Sequence, residues 1–320
     1  MRLYASLREG YSHPLEFGGR CLRKGSLGCL LLLANFFLLA CCRLMAQATS
    51  SPLSNAVLLE RKYRPGEVLS YEMKGSNQGW EYQIQANGLV RKDAEGVSYE
   101  EIGWSNLRSN ASMTLSPSSL AFRQSLSLES KDYLKIPDLS KVQPFLIGPI
   151  TDLLTFYSDL FLAKQMKLTQ VGQHIHFQHG KPNSWADGQR VLIGQDSIDF
   201  DLTLLDEDTP QHTATLLIQH VPPHHPQVQL PAKWMATPVG GAANNWVQVV
   251  KSGDKYFAQV GEEVFEVHIK VDTRDGKIVS AQLHNPVTSI VRECEDAALS
   301  KCGKPEPNNI LREVSLTLKP

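Results

Sequence analysis

GEVLSYEMKGSNQGWEYQIQANGLV, residues 66–90, decides how the chain is expected to fold. Leu69, Tyr71 and Met73 alternate with Ser70, Glu72 and Lys74, and Tyr82, Ile84 and Ala86 repeat the rhythm. A period of two puts apolar side chains on one face of a strand and polar ones on the other. The same reading extends outward in both directions. VSYEEIGW follows the turn Asp93-Ala94-Glu95-Gly96, and LAFRQSLSL (120–128) adds another alternating run. IDFDLTLL (198–205), TATLLIQH (213–220), NWVQVV, KYFAQV and EVFEVHIKVD continue the pattern. KIVSAQLHNPV joins the last of these across a hairpin at Asp275-Gly276, and ILREVSLTLK closes the chain.

One segment breaks the period. FLIGPITDLLTFYSDLFLAKQMK places Ile150, Leu153, Leu154, Tyr157, Leu160 and Phe161 at helical spacing. Gly148-Pro149 suits a helix start and Lys164 its last turn, which predicts a helix over 148–164 with Asp152 in its first turn. The expected fold is therefore mainly β (α+β). A strongly curved antiparallel sheet or half-open barrel wraps on one long amphipathic helix.

The first 48 residues differ in character. A basic stretch leads into LGCLLLLANFFLLACC (27–42), and Ala46-Gln47-Ala48 supplies a small-x-small cleavage site, the order of a secretory signal peptide. Leu38-Leu39-Ala40-Cys41 also reads as a lipobox, in which Cys41 would carry a lipid anchor, and an uncleaved anchor is the third reading. All three place the protein outside the cytoplasm, in the periplasm or cell envelope. The expected organisation is a signal peptide at 1–48, a lead-in at 49–66 with a short helix near Val57–Lys62, and a single β-rich domain over 67–320. Removing 1–48 leaves 26 Lys/Arg against 31 Asp/Glu, a net charge of −5. An acidic chain lacks the basic footprint of a nucleic-acid binder. Four of the six cysteines fall in the leader; Cys294 and Cys302 remain, and their spacing in an exported chain predicts one local disulfide.

Candidate chemistry is sparse. VGQHIHFQHG (171–180) sets His174 and His176 on one strand face, half of a metal site, but a solvated strand face explains them as well. Asp199 and Asp201 form a possible carboxylate pair with the same bland alternative. G-x-S-x-G, H-E-x-x-H, P-loop and dinucleotide fingerprints are absent from the sequence, which favours a role without catalysis or cofactor. VPPHHPQVQLPAKWMATPVGGAANN (221–245) is proline-rich and aperiodic; it carries Trp234, and Trp246 follows immediately after its end. Tryptophans in loops beside a sheet edge often line a ligand mouth.

YRPGEVLSYEM (63–73), with its G-E-x-L-x-Y pattern at Gly66, Glu67, Leu69 and Tyr71, resembles the opening of β-rich bacterial cell-envelope proteins. More distantly it resembles lipoprotein carriers of the LolA type, by strand order over 67–290. That resemblance implies a curved sheet closed on a helix with an acyl chain held between them, and it transfers no individual binding residue. The expected function is to bind a lipid-like apolar or amphipathic ligand between sheet and helix, lined by Phe156, Tyr157, Trp234 and Trp246. One alternative is an envelope interaction module that docks another protein through 221–245; the other is a metal-dependent hydrolase using His174 and His176.

Overall fold

The computed structural model describes residues 59–110, 120–135, 137–138, 142–166, 168, 170–180, 197–221, 230 and 232–320. The leader with Cys41, and residues 222–229 and 231 of the proline-rich segment, lie outside them. The expected architecture is found: a mainly β chain with one large, open antiparallel sheet and a single α-helix among the described residues.

The strands in chain order are β1 (Val68–Asn77), β2 (Trp80–Lys92), β3 (Ser98–Ser109) and β4 (Arg123–Leu126). The helix α1 (Pro144–Gln165) follows. Next come β5 (His174–Gly180), β6 (Ser197–Asp208), β7 (Thr213–Val221), β8 (Trp246–Ser252) and β9 (Lys255–Glu263). β10 (Phe265–Asp272), β11 (Ile278–Cys294), β12 (Glu306–Pro307) and β13 (Ile310–Leu318) complete the set. Across the main sheet the order is β4-β3-β2-β1-β13-β11-β10-β7-β6-β5. The C-terminal strand thus inserts at the centre, with Tyr71 paired to Leu318 and Leu283 to Val314.

β11 serves two layers. Its first half pairs with β10 and β13; beyond Val287 its partners are β9 and β12, and β8 extends this smaller lobe. The lobe has its own core of Met235, Val247, Val249, Ala258, Val260, Cys294 and Leu299. The predicted disulfide Cys294–Cys302 closes its last loop.

Alternation explains the sheet side of the main core. Leu69, Tyr71, Met73, Tyr82, Ile84, Ala86, Leu283 and Leu316 all point to the helix side and are buried. The helix begins four residues earlier than its sequence suggests. Pro144, not Pro149, occupies the first helical position, where a missing N–H is harmless. Gly148 serves instead as a seat for Trp80, whose ring lies 2.9 Å from where a Cβ would stand. Asp152 is accordingly no dipole-facing residue of the first turn; it is buried inside the protein. Every residue from Pro149 to Leu160 except Thr155 is buried, so the helix has little of the solvent face expected of an amphipathic one. It is apolar and long enough to cross a membrane, but most of that apolar window is enclosed by the protein itself.

The described end of the lead-in, from Leu59, is an irregular strap rather than the expected helix. It crosses the β10–β11 hairpin, where the Lys62 N–H donates to the Asp275 carbonyl at 2.8 Å. Gly276 is required there twice over: its φ is +69°, and a Cβ would sit 2.3 Å from the Glu60 carbonyl oxygen.

Candidate functional site

The space between helix and sheet holds a buried polar network. Glu100 of β3 accepts the Tyr157 hydroxyl from α1 and the Arg61 Nε at 3.4 Å from the strap. Both charged side chains are 1% exposed. Arg61 also donates to Glu67 at 2.8 Å, its guanidinium lies 4.4 Å from the Tyr63 ring centroid, and Lys277 reaches the second Glu67 oxygen at 3.2 Å. Burial pushes the Glu100 carboxyl up despite Arg61 and Tyr157. Burial also opposes the Glu67 charge, but Arg61 and Lys277 outweigh it and hold Glu67 below the ordinary carboxylate range. Tyr71 and Tyr157 are pushed far up, first by burial and then by the Glu100 charge. Glu67 and Tyr71 of the sequence signature therefore belong to one buried network that staples the strap to strand and helix. A second buried pair lies nearer the helix start: Asp152 accepts the Tyr82 hydroxyl at 2.6 Å and is ion-paired with Arg312 of β13.

The residues expected to line one ligand site are separated. Phe156 and Tyr157 are fully buried in the main core. Trp234 packs on the small lobe instead; its Nε1–H donates to the Leu299 carbonyl at 3.1 Å, and Arg292 lies 4.7 Å from its ring centroid. Trp246 is buried at the start of β8. The described part of 221–245 folds onto the lobe through Met235, which is wholly buried. His174 lies 3.0 Å from the Thr203 hydroxyl and His176 2.7 Å from Asp201, with about half of each side chain exposed. Among the described residues no three His, Cys, Asp or Glu side chains are placed to hold a metal ion.

The open concavity lies on the other, polar face of the sheet. It is a groove of about 700 Å³ crossing β3, β2, β1, β13, β11 and β10. Strand register resolves its floor into two transverse rows. One runs Glu81, Ser76, Glu313, His284, Glu266, each residue paired to the next. Beside it runs Arg108, Gln83, Lys74, Ser315, Gln282, His268. Their sequence neighbours Tyr82, Leu283 and Val314 point into the core, which is why the row residues point out. His268 sits 2.8 Å from Glu266, and that contact, joined by Gln219, holds the Glu266 carboxyl below its usual range. His284 lies 3.4 Å from Glu313. These exposed pairs are weak enough to exchange for a ligand. No local motif marks out this face in the sequence, because its rows are built by pairing six strands and each strand contributes only one or two side chains to them.

Comparison with models of known protein families gives no match, and comparison with curated proteins gives none either.

Proposed function

We propose that this is an exported binding module of the bacterial cell envelope, without catalysis, which holds its ligand in the groove on the polar face of the sheet. One observation carries this reading: the groove is open and lined by partly exposed polar side chains, whereas Phe156 and Tyr157 on the helix are buried to 1% or less. Admitting an acyl chain between helix and sheet would displace such side chains and break the Tyr157–Glu100 bond. The Cys294–Cys302 disulfide supports an oxidising compartment, in line with the leader-like N-terminus.

Native mass spectrometry of gently purified protein tests the site. Wild type should carry a bound mass that is lost when the groove is filled by Ser315→Trp with Gln282→Trp. The same mass should survive Phe156→Leu, which alters only the interior. Loss on the interior change with retention in the groove variant would reverse the assignment and return the ligand to the helix side.

A further inference from the structure

Resting on the groove as the binding site, we infer that its ligand is an extended polypeptide with alternating basic and acidic side chains. The two floor rows differ in sign. Glu81, Glu313 and Glu266 lie in one, and Arg108 and Lys74 lie in the other, with a histidine in each. Rows two residues apart along a strand are separated by about 7 Å, and six strands span roughly 24 Å at about 4.8 Å each. The groove is therefore a slot one chain wide, long enough for about seven residues at roughly 3.3 Å per residue.

An extended chain projects successive side chains to opposite edges. Laid along the slot, it presents every second residue to the carboxylate row and the others to the cationic row. Three carboxylates against two fixed cations leave the floor close to neutral, which disfavours a polyanion as occupant. A sugar chain would call for aromatic platforms, but Tyr82 turns its ring away from the groove into the core, with its hydroxyl on Asp152. Gln83, Gln282, Ser76 and Ser315 supply the donors and acceptors that backbone amides require.

Fluorescence anisotropy with two labelled heptapeptides tests the inference on the full mature chain. The peptides acetyl-KEKEKEK-amide and acetyl-KKKKEEE-amide have one composition and one net charge, and only the first separates its signs onto two edges. The alternating peptide should bind about tenfold more tightly, with the preference weakening in salt. Glu313→Gln with Lys74→Gln changes two side chains that are more than half exposed, so it should leave the melting temperature unchanged while erasing the preference. Equal binding of both peptides, abolished by Ser315→Trp with Gln282→Trp, would overturn the two-edge inference and leave the groove reading standing. Binding of cellohexaose but of neither peptide would overturn it in favour of a glycan. If neither peptide nor cellohexaose binds, the inference fails, and a co-purified mass that survives in the groove variant would bring down the groove reading as well.

Discussion

Arg61→Met should be one of the most damaging single changes available outside the apolar core. The substitution keeps an unbranched side chain of similar reach, so packing is largely preserved and the charge is the variable. It leaves Glu100, whose side chain is 1% exposed, with only the Tyr157 hydroxyl. Removing one partner of a buried ion pair costs about 3–5 kcal/mol, because the remaining charge stays desolvated. For a domain of this size that corresponds to a fall in Tm of roughly 6–15 °C, at roughly 2–3 °C per kcal/mol. Protonating Glu100 relieves the stranded charge, and its pKa already stands above the ordinary value with Arg61 present. The deficit of the variant should therefore shrink as pH falls and widen as pH rises. The decisive companion is Arg61→Met with Glu100→Leu, which removes both charges and should recover most of the loss. Urea unfolding of the four members of this cycle, at pH 4.5 and pH 7.5, measures all of it. A single variant within about 0.5 kcal/mol of wild type, the spread of an ordinary surface substitution, would refute the network as the staple of the strap. So would a double variant as unstable as the single one.

Asp152→Asn should cost about 3 kcal/mol by removing the carboxylate charge that pairs with buried Arg312, and Tyr82→Phe, which loses only a hydroxyl, about 1–2 kcal/mol; thermal melts rank the two. Gly276→Ala forces a Cβ against the Glu60 carbonyl at a positive φ and should destabilise by about 1–3 kcal/mol, with amide exchange rising first in the strap. Glu67 has a folded pKa below its ordinary value of 4.5, so its stabilisation is complete above that pH and is lost as pH falls through the lower folded value. Glu67→Gln should therefore flatten the acid limb of the stability profile, seen as a urea midpoint that changes less below pH 4.5. Reducing Cys294–Cys302, which closes a separation of 8 residues, should cost about 2.5 kcal/mol by loop entropy, with exchange protection lost in β8, β9 and β12 rather than around the helix.

The alternating runs from Leu69 to Ala86, the hairpin at Asp275-Gly276, the single helix and the cysteine pair were all legible in the linear chain. Each is specified by residues close together: a side-chain period, a turn residue, a short loop. Two prolines compete for the first helical position, and Pro144 takes it; Gly148 instead seats Trp80 of β2, a contact between residues far apart in the chain. The short signature at Gly66, Glu67, Leu69 and Tyr71 marked a segment that matters without disclosing why. Its glutamate meets Arg61 and Lys277, and its tyrosine lies beside Glu100 and Tyr157, only once strap, strand and helix are assembled.

Sequence by itself determined which residues turn inward, since burial follows the local rhythm of apolar and polar side chains. Tertiary structure decided what those residues meet. Inserting β13 between β1 and β11 sets Lys74 beside Ser315, and Glu313 beside both Ser76 and His284. Strand order is fixed by the total burial of the assembled sheet rather than by any local signal, so neither the groove nor the opposite charges of its two rows could be read along the chain.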